Sequence, residues 1–167
     1  MNRTIVLFTL IILLQGCSYA ISPTVADKAD KTITFEMLRA DPGLYKGKII
    51  ILGGTIAEIT NLKQGSLITV DQKPLDFWNK PTRTTRTGGR FLLFYPRAVD
   101  SLTYAFGREL TVAAEVAGTS LKALGDKEYD HPVLVSKELK LWSREQKRPE
   151  AQTQWGDPLY DPQRQQR

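Results

Sequence analysis

Residues 48–59 read KIIILGGTIAEI, a β-branched and aliphatic run with Gly53-Gly54 at its centre. Side chains of this type fit a pleated, half-buried surface, and a central glycine pair disfavours a helix. Paired glycines inside a strand commonly mark the bend or bulge by which a small barrel turns a corner. Further strands are predicted downstream, over 65–71 (GSLITVD) and 90–95 (RFLLFY). Residues 109–117 set Leu110, Val112, Ala114 and Val116 against Glu109, Thr111 and Glu115, which predicts one buried and one wet face. Residues 133–142 place Val133, Val135, Leu139 and Leu141 in one row, broken by Lys137. Ahead of these strands a short helix is expected. Thr34 would cap it, Glu36 sits in its first turn, Phe35, Met37 and Leu38 supply apolar contacts, and Pro42-Gly43 ends it. The pattern predicts a mainly β fold, a small five-stranded OB-like barrel with a short N-terminal helix. An open sheet with a covering helix is the alternative.

The chain has 167 residues, 41% hydrophobic and 25% charged, enough for one ordinary domain. Its start is different. Arg3 precedes an apolar run, residues 5–14, interrupted only by Thr9. A run of about ten residues matches the core of a signal peptide, whereas a spanning helix needs about twenty. It ends in Leu14-Gln15-Gly16-Cys17, which resembles the lipobox of bacterial lipoproteins: an aliphatic residue, a loosely restricted one, a small one, then cysteine. The thiol would receive the diacylglycerol, and the small Gly16 would admit the peptidase to the bond before Cys17. Gln15 departs from the small or aliphatic residue more usual there. Cys17 is the chain's single cysteine, so no internal disulfide competes for it. Each buried CH₂ adds about 0.8 kcal/mol, so several acyl chains on Cys17 would hold the protein stably on a membrane. Ser18 stands where an aspartate would favour retention in the inner membrane, which points to the outer one.

These readings divide the chain into a lipoprotein signal peptide (1–16), a lipidated tether (17–32), the barrel domain (33–143) and a polar tail expected to be disordered (144–167). The tail is rich in Gln, Arg and Pro, with Trp155, Leu159 and Tyr160 as its sizeable apolar groups.

Several pieces in order resemble the Slp family of outer-membrane lipoproteins. They are Gly89-Arg90-Phe91-Leu92, Gly107-Arg108-Glu109-Leu110-Thr111-Val112, Gly118, the stretch from Gly125 to Tyr129 followed by Pro132-Val133, and Leu141-Trp142. The resemblance runs from the signal to Trp142. It departs at Val99-Asp100-Ser101, where the family usually shows a Leu-Asp-Pro turn, and finds no match beyond Ser143. It implies a lipoprotein exposed to the periplasm, linked in some members to starvation or acid stress, with no established reaction or cofactor. Cys17 is the one functional position that it transfers.

Catalytic chemistry has little to draw on. His131 is the single histidine and is expected in a turn, and no second histidine or free thiol is present to share a metal. Glu58, Glu109, Glu115, Asp126, Glu128 and Asp130 could pair as the carboxylates of an envelope-polymer enzyme, the alternative to a non-enzymatic binding or structural module. Gly53-Gly54 and Gly88-Gly89 lack the residues that follow in phosphate-binding loops.

From Asn79 to Ala98 the chain carries Lys80, Arg83, Arg86, Arg90 and Arg97 and no acidic residue. Much of this reads as an exposed loop whose arginines and threonines suit phosphate oxygens. Contact of Lys80, Arg83, Arg86 and Arg90 with anionic lipid headgroups, lipopolysaccharide or another envelope protein is therefore expected. A solvated charged loop is the plainer reading. Phe77 and Trp78 beside it favour an interface. The net charge of +5 falls to +4 once Arg3 leaves with the signal. An exported basic barrel is not expected to meet nucleic acid. A ligand on the curved face would call for aromatics grouped there, from Tyr95, Tyr104, Phe106, Tyr129 or Trp142; core or rim packing is the competing fate.

Overall fold

The glycine pair lies inside a long strand, β1 (Ile49–Leu62), which pairs antiparallel with β2 (Gly65–Lys73) along one edge and β4 (Glu109–Ser120) along the other. In this computed structural model, which describes residues 19–121, 124 and 128–143, β3 (Arg90–Tyr95) and β5 (Glu128–Leu141) complete the sheet. The strands close in the order β1-β2-β3-β5-β4, with β3 and β5 parallel. The expected OB-like barrel is what forms.

The glycines act through close approach. A Cβ on Gly54 would collide with the Asp71 carbonyl, and one on Gly53 with Leu75. The bulge itself lies slightly further on. Ile56 faces Val70 and Glu58 faces Thr69, so Ala57 is the extra residue. Before it even-numbered side chains of β1 point inward; after it Ile59 does.

The same device explains the broken row in β5. Ala114 pairs with Ser136 and Ala113 with Glu138, which leaves Lys137 as an inserted residue. Leu134 therefore faces the core before the bulge, and Leu139 and Leu141 after it. Val133 and Val135, expected in that inward row, are on the other parity. The strand also starts earlier than expected, at Glu128, so His131 and Pro132 lie on it and not in a turn.

Inside the ring, Ile50, Ile56, Ile68, Val70, Phe91, Leu93, Leu110, Val112 and Leu134 are almost wholly buried. Each contributes about 1.5–3 kcal/mol through removal from water. The expected helix, here α2 (Phe35–Ala40), adds Phe35 and Leu38, with Phe35 edge-on to Phe91. Thr34 Oγ1 accepts from Met37 N at 3.3 Å, as its capping role requires. Met37, however, leaves 43% of its surface exposed, and Asp41 starts a further 3₁₀ turn, Pro42–Tyr45.

β4 departs from the expected wet face. Its inward row is as read, yet Thr111 and Ala113 on the outer side are also fully buried. Thr111 is covered by the β2–β3 loop and by Trp142, its Oγ1 donating to the Asn79 carbonyl and accepting from Trp142 Nε1.

At the neighbouring level the N-terminal segment crosses the ladder. Ser22 donates to the Glu138 carboxylate through its N–H (2.9 Å) and its hydroxyl (2.7 Å). Asp30 N donates to the Ile49 carbonyl. Ala20 and Ile21 are buried, and a short helix, α1 (Pro23–Ala26), follows. The stretch expected as a tether is thus laid on the barrel from Ala20 onward. Gly16, Cys17, the signal peptide and the 144–167 tail lie outside the described residues.

Candidate functional site

A groove of about 710 Å³ runs over the outer wall of β1, β2, β3 and the start of β5. Its floor follows from strand register. Glu58, Thr69 and Leu92 form one row across three strands, and Thr60 and Leu67 belong to the next. The Ala57 bulge creates this arrangement. Without the extra residue Glu58 would share the inward parity of Ile56; with it, Glu58 and Thr60 face solvent.

The β1–β2 turn supplies one flank through Leu62, Lys63 and Gln64. The other flank is Leu124 with residues 128–131 of β5, which brings in Glu128, Tyr129, Asp130 and His131. The walls therefore mix aliphatic floor, hydroxyls, carboxylates, cationic groups and one phenol ring. Such a surface offers donors and acceptors to an extended polar ligand and an apolar bed beneath it. In five-stranded barrels of this topology, the wall of the second and third strands with the flanking loops is where chains of sugars or nucleotides bind.

Arg90 sits at the end of the groove. Its Nε donates to Asp71 Oδ1 at 2.6 Å, and this hydrogen bond and charge raise the guanidinium's pKa, with Glu58 adding to the effect. The pair is solvent-exposed, so its value is positional more than energetic.

The four cations expected at an anionic surface stand on the β2–β3 loop and at the first residue of β3, each in different surroundings. Arg90 lines the groove. Arg86 borders a second cavity of about 490 Å³ between α2 and the end of β2. Arg83 is exposed on the loop. Lys80 lies outside the groove, its Nζ 5.7 Å from the centre of the Trp142 ring.

The aromatics do not gather on the curved face. Tyr95 and Tyr104 pack together against the core, with burial raising the Tyr104 pKa. Trp142 covers Thr111, and Phe106 stands exposed on the β3–β4 loop. Tyr129 alone of that set lines the groove.

Of the carboxylates singled out in sequence, Glu58, Glu128 and Asp130 share the groove with His131. Glu115 pairs instead with Lys137 at 2.7 Å, and Asp126 lies outside the described residues. Among the described residues no three of His, Cys, Asp and Glu come together as a metal site would require. Sequence reading missed Thr60, Leu67, Thr69 and Leu92 as site residues. The signal was present in the alternation of β2 and β3, but its outward row has meaning only once the ring order is known.

Compared with known protein families, the chain matches the model described as "Outer membrane lipoprotein Slp family" over residues 14–166. That span includes Cys17 and continues through the tail, past the point where the resemblance was read to end. No curated protein matches the chain.

Proposed function

Because the chain belongs to the Slp family of outer membrane lipoproteins, we propose that it is a non-enzymatic binding module, acylated at Cys17 and exposed to the periplasm, that holds an envelope ligand in the groove of its barrel wall. Outer-membrane placement follows from the family; the periplasmic exposure, the stress-related role and the ligand are this proposal's own.

The observation that carries it is the groove's composition. Thr60, Thr69, Glu58 and Asp130 present acceptors and hydroxyls beside the Tyr129 ring and the Leu67–Leu92 floor. Sugar rings match this alternation, since their hydroxyl edges seek carboxylates and their apolar faces seek rings and aliphatic carbon. The test is NMR titration of the protein with oligosaccharides released from envelope polymers. Shift changes centred on Thr69, Leu92 and Tyr129, weakened at least tenfold in affinity by Tyr129→Ala with Thr69→Ala, are expected. Saturating oligosaccharide that leaves those signals in place would contradict the reading.

The grouping of Glu58, Glu128 and Asp130 favours a second reading, an enzyme acting on envelope polymer. A carboxyl becomes a general acid at neutral pH chiefly through loss of its water, and all three are exposed. Turnover of such a polymer that disappears in Glu58→Gln or Asp130→Asn would favour this reading over simple binding.

A further inference from the structure

The β2–β3 loop ends in a built tip. Asp76 Oδ1 accepts from Trp78 N and Lys80 N, both at 2.8 Å, and Asp76 N donates to the Lys80 carbonyl. Leu75 bridges to Pro81 at its base. This turn holds Phe77 and Trp78 edge to face, 5.2 Å apart, with 90% and 73% of their surfaces exposed. A soluble protein rarely spends a hydrogen-bonded turn on presenting two large rings to water.

The tip's position on the barrel matters as much as its chemistry. It is fastened to the outer face of β4 at Thr111. The N-terminal segment is fastened to the same β4–β5 ladder at Glu138, the partner of Ala113. Thr111 and Ala113 are neighbours on one face, about 7 Å apart at strand spacing. From docked Ala20 back to Cys17 the chain can span at most about 11 Å, whatever its path. Cys17, five residues ahead of Ser22, thus stands within about 18 Å of the wall that carries the aromatic tip. In the ring order β1-β2-β3-β5-β4 the groove centres on β2 and β3, which do not neighbour β4, and it reaches β1 and β5 only at residues 58–62 and 128–131, away from the positions that pair with Thr111 and Ala113.

Two ammonium groups stand behind the tip: Lys80 and Lys140 both lie against the Trp142 ring on this wall, at 5.7 and 5.9 Å. Of the carboxylates on the same wall, Glu115 is paired with Lys137, Asp76 is held in the turn by backbone donors and Glu138 is bonded to Ser22.

We propose that Phe77 and Trp78, with Lys80 and Lys140 behind them, insert into the phospholipid interface as a second membrane contact beside the lipid anchor. Rings of this kind settle at headgroup depth, and ammonium groups meet the anionic phosphates there. Two attachment points on one wall fix the barrel's orientation and turn the groove away from the bilayer. The inference rests on acylation of Cys17, which must be measured separately.

The experiment uses the full acylated protein in vesicles of phosphatidylethanolamine and phosphatidylglycerol, with and without brominated acyl chains. Mass spectrometry and flotation come first. Unacylated protein that stays in solution would overturn the anchor reading, and this one with it. For acylated, floated protein, bromolipid is expected to quench tryptophan emission, and Trp78→Phe is expected to remove most of the quenchable part. Phe77→Ser with Trp78 retained should reduce the quenching while flotation persists. If the floated protein and its Trp78→Phe variant are quenched alike, or neither is quenched, the membrane is not the occupant of this tip and the inference fails alone.

Discussion

Two buried serines show how differently one residue type behaves in this barrel. Ser66 is fully enclosed and fully used: its one O–H is shared between Asn61 Oδ1 and the Arg97 carbonyl, and its oxygen accepts from Val99 N at 3.1 Å, while Asn61 Nδ2 donates to the Val99 carbonyl. These bonds tie the exit of β3 to the β1–β2 hairpin. Ser136, on the inward face of β5, has a buried hydroxyl with no hydrogen-bond partner among the described residues. Removing Ser66 strands several polar groups, whereas removing the Ser136 hydroxyl relieves one. Ser66→Ala should therefore cost about 1–3 kcal/mol, and Ser136→Ala should be neutral or stabilise by about 1 kcal/mol. Urea denaturation of both variants checks the contrast; equal destabilisation would contradict it.

Among the elements, what was legible in sequence was what periodicity encodes. Each of the five strands, the Thr34-capped helix and the inward row of β4 follow from local alternation and capping chemistry. The two bulges were visible only as disturbances. Gly53-Gly54 announced a corner whose extra residue is Ala57, and Lys137 looked like a fault in a row that it in fact divides. Period-2 reasoning carries a single parity along a strand, and an inserted residue reverses that parity without any composition signal. Outer faces were the other gap. Ala113 and Thr111 are covered by segments distant in sequence, so no local pattern marks them as buried. For the same reason no local pattern marks the groove, although its carboxylates, Tyr129 and His131 each stand out singly in the sequence. Its residues share a wall only after β3 pairs in parallel with β5.

At the scale of the whole molecule, three carboxylates among the described residues are held below their ordinary pKa range. Asp100 is lowered first by the Thr103 hydroxyl and then by the Leu102 and Thr103 amides, Asp30 first by Thr32, and Glu36 first by its own amide and then by Thr34. A group depressed on folding contributes stability that is complete above its unfolded pKa and is lost as pH falls toward the folded value. The unfolded range for these side chains is about 4. The contribution of these three groups should thus be complete near pH 7, begin to fall at about pH 5 and be lost toward their folded values, with a shallower acid limb in Asp100→Asn. Denaturation midpoints followed from neutral pH into acid test this, and an acid limb in Asp100→Asn as steep as in the unaltered chain would contradict it.

The architecture gives the barrel two separate walls, one with a polar groove and one with the docked N-terminal segment and the aromatic tip. That polarity has a purpose only if fatty chains are attached three residues ahead of Ala20. Mass spectrometry of the protein purified from the membrane of its native host, read at its N-terminal peptide, tests this most directly. The account predicts a chain beginning at Cys17 and carrying diacylglyceryl and amide-linked acyl mass. A bare Cys17, or a leader still joined through Gly16, would contradict it.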